Sequence, residues 1–88
     1  MIIASAIKLT DGRVFVGKRH GDCFRNVISL HTKIGMSEED ARRLHLNCIQ
    51  GFITEALLFM NRDTAVEEAR ACGQYSGESN LLLSEDLW

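Results

Sequence analysis

Apolar residues dominate the run from Ile2 to Leu9 and return from Arg13 to Gly17, with Asp11-Gly12 between them. An Asp-Gly pair flanked by β-branched residues is a strong hairpin signal. The pattern predicts a strand over Ile2 to Leu9, a two-residue primed turn at Asp11-Gly12 and a returning strand over Arg13 to Gly17. In that register Ile3, Ser5, Ile7 and Leu9 share one face with Val14 and Val16, and this face is expected to meet the core. The period then changes. Phe24, Val27, Ile28, His31 and Ile34 recur at three- and four-residue spacing after Asp22, an amphipathic helix that Gly35 would stop.

Ser37-Glu38-Glu39-Asp40 resembles a capping box with a shorter carboxylate and predicts a brief helix through Ala41 and Leu44, interrupted at Asn47. Cys48 to Thr54 alternates as a strand does. Glu55 to Met60 reads as strand or helix, because Ala, Leu, Met and Glu favour helix as readily as anything else, and one long helix from Glu55 to Cys72 is the rival assignment. A second hairpin ending at Asn61 is preferred. Asn caps helices well, Asp63 suits a first turn, and Ala65, Val66, Ala69 and Cys72 then form one apolar stripe before Gly73. The tail runs through a Gly/Ser loop at Tyr75 to Ser79, an apolar Leu81-Leu82-Leu83 expected to add an edge strand, and a terminal Trp88 expected to pack.

These elements make an α+β chain, with antiparallel hairpins packed against two or three helices. Eighty-eight residues with 45% hydrophobic content form one ligand-binding-sized domain over 1–88. A chain this short buries only about 60% of its unfolded surface, so its apolar strands and tail leave surface for a partner to cover. The formal net charge of −2 argues against a general binder of nucleic-acid polymers, which needs a basic field over the phosphates. Cys23, Cys48 and Cys72 are odd in number and widely spaced, and no signal peptide or long apolar run accompanies them. Free thiols in a reducing cytoplasm, with no membrane association, are the expectation.

Chemistry concentrates at two places. Gly17-Lys18-Arg19-His20-Gly21 brackets three cationic or titratable side chains at a strand end, and Asn61-Arg62 stands at a predicted helix start. Unpaired first-turn N–H groups beside an arginine suit a phosphate. Phe52, after the small Gly51, and Phe59 are either base-stacking rings or core. Lys18, Arg19 and His20 either hold a phosphate or solvate a strand end, and Glu85 and Asp86 either accept ribose hydroxyls or form a solvated end. No nucleophile elbow, phosphate-binding loop or dinucleotide glycine pattern appears, so no enzymatic activity and no cofactor are expected. His20-Gly21-Asp22-Cys23 and His45-Leu46-Asn47-Cys48 have the one metal-like spacing, H-x-x-C twice. The preferred reading makes the cysteines small buried hydrophobes, His31 a satisfied imidazole at the core edge and His45 a surface residue, with no metal bound.

Taken in order, S-A-I-K with D-G-R at Ser5 to Arg13, G-K-R-H at Gly17 to His20, Q-G-F-I-T at Gln50 to Thr54, F-M-N-R at Phe59 to Arg62, A-C-G-Q at Ala71 to Gln74 and S-E-D-L-W at Ser84 to Trp88 resemble the phage anti-Thoeris sponge family. The resemblance implies a small α+β protein of the bacterial host cytoplasm that sequesters cyclic ADP-ribose-type immune signals, and in some cases cyclic oligonucleotides, without degrading them. It implies dimers or hexamers. It places Phe52 on an adenine, Asn61 or Arg62 near base or ribose, Lys18 and Arg19 toward phosphate, and Asp86 on a polar edge. The chain departs from the family pattern at Glu55-Ala56-Leu57-Leu58, where a glycine-containing turn is usual, and between Tyr75 and Leu83, which lacks basic residues. A protein-interaction module inhibiting a host enzyme and a zinc-stabilised mini-domain are the competing readings.

Overall fold

The computed structural model describes residues 1–80 and 82–87. Strands β1 (Ile2–Lys8), β2 (Val14–Gly17), β3 (Ile49–Thr54) and β4 (Phe59–Asn61) form one antiparallel sheet in the order β2-β1-β3-β4. Helix α1 (His20–Lys33) follows the first hairpin, α2 (Glu38–Arg43) follows α1, and α3 (Arg62–Ala71) follows the second hairpin. The protein is therefore α+β, with a four-stranded sheet and three α-helices among the described residues.

The first hairpin closes differently from the sequence expectation. Gly12 N–H donates to the Leu9 carbonyl at 2.9 Å and Leu9 N–H to the Arg13 carbonyl at 2.9 Å, and Gly12 has φ +92° while Asp11 does not enter the left-handed region. The loop is thus Thr10-Asp11-Gly12, three residues with glycine in the left-handed position, not a two-residue primed turn. One residue of slip exchanges the faces of the returning strand. Ile7 stands opposite Phe15 and Lys8 opposite Val14, so Phe15 joins the helix-covered face, whereas Val14 and Val16 are 39% and 47% exposed on the other. A register shift between Ile2 and Ala4 likewise turns Ile2 inward and leaves Ile3 exposed.

Two apolar clusters fill the space between sheet and helices. Under α1 lie Ile7, Leu9, Cys23 and Val27, flanked by Phe15, Phe24, Leu44 and Cys48. Under α3 lie Ile2, Phe52, Ala65, Val66, Ala69 and Leu82, flanked by Met60, Tyr75 and Leu87. Cys72 belongs to neither. It is exposed at the end of α3, which corrects both its place in the apolar stripe and its reading as a buried hydrophobe, whereas Cys23 is buried as expected.

Helix ends follow their capping residues. The Ser37 hydroxyl accepts from Asp40 N–H at 3.2 Å, and the Asn61 side-chain oxygen accepts from Thr64 N–H at 2.9 Å, so the second hairpin does end at a helix cap. The ambiguous stretch after Thr54 is a turn leading into β4, in which Leu57 takes φ +61° where a glycine would be at ease. The tail adds no strand at Leu82-Leu83; it buries Leu82 and ends in a short 3-10 turn over Ser84–Asp86. Leu81 and Trp88, and the expectations placed on them, lie outside the described residues. No helix among the described residues is long and apolar enough to cross a membrane.

Candidate functional site

Helix α1 begins two residues earlier than its apolar spacing predicts, and Gly17 is the local reason. A Cβ at Gly17 would stand 2.8 Å from Asp22 Cβ and 3.0 Å from the Cys23 nitrogen, so only glycine lets the first turn of α1 fold back on the end of β2. Asp22 closes that turn by accepting the Arg19 N–H at 3.2 Å and pairs with Arg25 at 3.2 Å. His20 becomes the first residue of the helix, turned inward and only 6% exposed.

The His20 ring is fixed on two sides. Its Nε2 lies 2.8 Å from the Gly51 carbonyl oxygen and its ring meets Phe52 edge-on at 5.1 Å and 72°. A carbonyl only accepts, so Nε2 carries the hydrogen, and the neutral ring keeps Nδ1 as an acceptor. Burial holds the His20 pKa below its ordinary value; the Gly51 hydrogen bond opposes the shift and the Arg62 charge adds to it.

Arg62 approaches from the start of α3. Its guanidinium donates to the Gln50 side-chain oxygen on β3, while its Nε is buried without a hydrogen-bond partner. The third wall comes from the tail. Leu83 N–H donates to Asp86 Oδ2 at 2.8 Å, bending Leu83, Ser84 and Glu85 toward α1. Arg19, His20, Gly21, Asp22 and Arg25 from α1 and its cap, Arg62 from α3, and Leu83, Ser84 and Glu85 enclose a cavity of about 310 Å³. A wider depression of about 410 Å³ lies on the other side of Arg62, bordered by Cys48, Ile49, Gln50, Asn61 and Asp63.

Three guanidinium groups and the amide end of a fourteen-residue helix give the first cavity a positive floor. Asp22 and Glu85 supply acceptors, so an anion that also carries hydroxyl or amine donors matches the lining better than a bare anion.

The structure brings Arg19, His20 and Arg62 together as cavity walls and leaves other expected residues outside. Asn61 borders the second depression, where its side chain caps α3. Lys18 is exposed, its carbonyl accepting the hydroxyl of buried Ser5 at 3.0 Å, and does not border the cavity. Asp86 caps the 3-10 turn. Phe52 is 0% exposed in the core beneath His20, so the stacking expected of it has no ring face through which to act. Arg25 and the Leu83-Ser84 wall were not anticipated. A helix register begun at His20 would have placed Gly21, Asp22 and Arg25 on one face, whereas the approach of the tail had no local signal.

Of the two H-x-x-C pairs, Cys23 and Cys48 meet in the cluster under α1, whereas His20 bonds the Gly51 carbonyl and His45 packs on Phe24. Among the described residues no group of three or more His, Cys, Asp or Glu side chains is placed to hold a metal ion. His45 packs its ring on Phe24 at 4.7 Å, half-buried rather than at the surface. His31 is the satisfied imidazole expected. Its Nδ1–H donates to the Val27 carbonyl at 2.7 Å and its Nε2 accepts from Arg13 at 3.0 Å.

No curated protein and no solved structure matches this chain. The family model described as the phage T4 y16D protein matches it over residues 1–88, and the chain belongs to that family of phage proteins.

Proposed function

We propose that this phage protein is a non-catalytic binder of a small phosphorylated ligand, seated in the cavity between α1, Arg62 and the tail. The observation that carries the reading is Arg62: its Nε is buried without a partner while it faces the same cavity as Arg19 and Arg25. An unpartnered buried donor is costly, and a phosphate seated against the outer guanidinium N–H groups, for which its oxygens are strong acceptors, would offset that cost through its charge.

The motif resemblance extends the proposal to a nucleotide-type immune signal, such as a cyclic ADP-ribose isomer, held intact. About 310 Å³ accommodates a phosphate and a sugar, not a whole cyclic dinucleotide. The remainder would lie across the mouth, against Leu83 or the guanidinium planes, since Phe52 offers no face. A second copy covering that mouth would desolvate the phosphates and slow release, as sequestration requires.

The test combines a panel of cyclic ADP-ribose isomers, cyclic oligonucleotides and mononucleotides with melting curves and analysis of what denaturation releases. A melting shift with intact ligand, lost in Arg62→Gln, is expected. Altered ligand would make the protein an enzyme, and no shift with any member would end the reading.

A second reading, a protein-interaction module, has one observation in its favour. Val14, Val16 and Ile49 are 39%, 47% and 52% exposed on the sheet face opposite the helices. It predicts no ligand-dependent shift.

A further inference from the structure

Among the groups lining the cavity, His20 has a ring with one nitrogen bonded and an acceptor nitrogen with no protein partner among the described residues. The residue is only 6% exposed, and its Nε2–H is committed to the Gly51 carbonyl. Nδ1 is then a bare acceptor on a ring that borders the cavity. Its neighbours there, Arg19, Arg25 and Arg62, are donors only, and a phosphate oxygen meeting a neutral Nδ1 would set two acceptors face to face. The carboxylates do not take its place. Asp22 is occupied by the Arg19 N–H and the Arg25 guanidinium, and Glu85 is exposed, where water competes for it.

We infer that His20 reads the ligand: Nδ1 accepts a hydrogen bond from a ring hydroxyl of the phosphorylated sugar, so the site selects phosphate esters of hydroxylated sugars over inorganic phosphate and over deoxy analogues. The inference rests on the phosphorylated-ligand reading above. An acceptor that the bound deoxy compound would shield from water and leave unpaired is the source of the discrimination, since a site built to hydrogen-bond a hydroxyl rejects its absence more strongly than an apolar pocket rejects its presence.

The experiment is calorimetric titration of the whole chain with adenosine 5′-monophosphate, its 2′,3′-dideoxy analogue and inorganic phosphate, repeated on His20→Gln. Glutamine keeps a donor for the Gly51 carbonyl and removes the acceptor at Nδ1. The wild-type protein is expected to bind the hydroxylated nucleotide at least about fivefold tighter than the dideoxy one. His20→Gln is expected to bind both with the weaker affinity. Equal binding of the two nucleotides by the wild type would overturn the role of His20 and leave the phosphate reading standing. A preference that survives in His20→Gln would assign the hydroxyl to another acceptor and also overturn it. No binding of any of the three would remove the phosphate reading and this inference with it. If the variant does not fold, nitrogen NMR of the wild type decides: the His20 Nδ1 resonance moves with the hydroxylated nucleotide and not with the dideoxy one, and an equal shift with both overturns the assignment.

Discussion

Replacing Gly51 by alanine puts a methyl group where β4 already lies. A Cβ built there stands 2.0 Å from the Met60 carbonyl oxygen, 2.8 Å from Phe59 Cζ and 2.9 Å from the Met60 carbonyl carbon. The phenyl ring can turn away, but the carbonyl is backbone, and ordinary contact begins at 3.4 Å, so β4 has to move by about 1.4 Å. That strand is only three residues long and is held through Gly51 opposite Asn61, Phe52 opposite Met60 and Ile53 opposite Phe59. Overpacking costs about 1–3 kcal/mol. Displacing Asn61 loosens the cap of α3, about 1 kcal/mol more. The sum, about 2–4 kcal/mol, is large for one methyl group and a large share of the stability of a small domain.

At about 4–8 °C per kcal/mol for a domain of this size, melting should fall by at least about 8 °C. Urea and thermal unfolding followed by circular dichroism measure it. Gly12→Ala is the control. Nothing lies within 4 Å of its Cβ, and only the φ of +92° opposes alanine, which costs about 1 kcal/mol. A Gly51→Ala protein melting within about 4 °C of the wild type, or a Gly12→Ala protein more damaged than it, would refute the steric argument.

Leu57→Gly should stabilise by about 0.5–1 kcal/mol, because relief of the left-handed strain at φ +61° exceeds the added freedom of the unfolded chain; a lower melting temperature would contradict this. His20 has a folded pKa below its unfolded value near 6.5, so protonation favours the unfolded chain. Its contribution to stability is complete above about pH 6.5 and is lost as pH falls toward the folded value; a wild-type curve no steeper there than that of His20→Gln would refute the assignment. Burial pushes the Cys23 thiol up to about 11 and raises that of half-buried Cys48, whereas Cys72 is exposed. Peptide mapping after brief alkylation at mildly alkaline pH should therefore find Cys72 modified first and Cys23 only after unfolding, and equal labelling of Cys23 and Cys72 in the native protein would contradict the burial.

Elements announced by their own residues were legible in the sequence. Ser37 and Asn61 cap the helices they were expected to cap, and Gly35 and Gly73 take the left-handed φ that follows a helix end. The first hairpin was legible as a hairpin but not in register, because Asp-Gly suits a two-residue turn and a three-residue loop alike, and one residue decides which face Phe15 and Val14 share. Half of the cavity could be read. Arg19 and His20, cationic or titratable residues at a strand end, and Arg62, at a helix start, carry local signals, whereas Leu83 to Glu85 join them where Leu82 is buried in the cluster that holds Phe52, a contact no local pattern encodes.

Phe52, buried beneath His20, can govern the site without facing it. Three consecutive residues of β3 position the two side chains that matter most: Gln50 accepts from Arg62, the Gly51 carbonyl accepts from His20, and the Phe52 ring supports the His20 edge. Arg62 and His20 come from different helices, so β3 is the common frame that sets their separation. Phe52→Leu retains an apolar side chain and should cost about 1–2 kcal/mol, leaving the protein folded. It removes the edge contact without touching Arg62 or Gln50. On the reading above, hydroxyl preference should fall while phosphate affinity persists, because a tilting imidazole no longer aims Nδ1 whereas the guanidinium groups stay in place. If Phe52 instead stacked on the base, the dideoxy and hydroxylated nucleotides would lose affinity together and by the same factor. A parallel loss in both would therefore return Phe52 to the ligand, and a loss confined to the hydroxylated one would fix it as the support of His20.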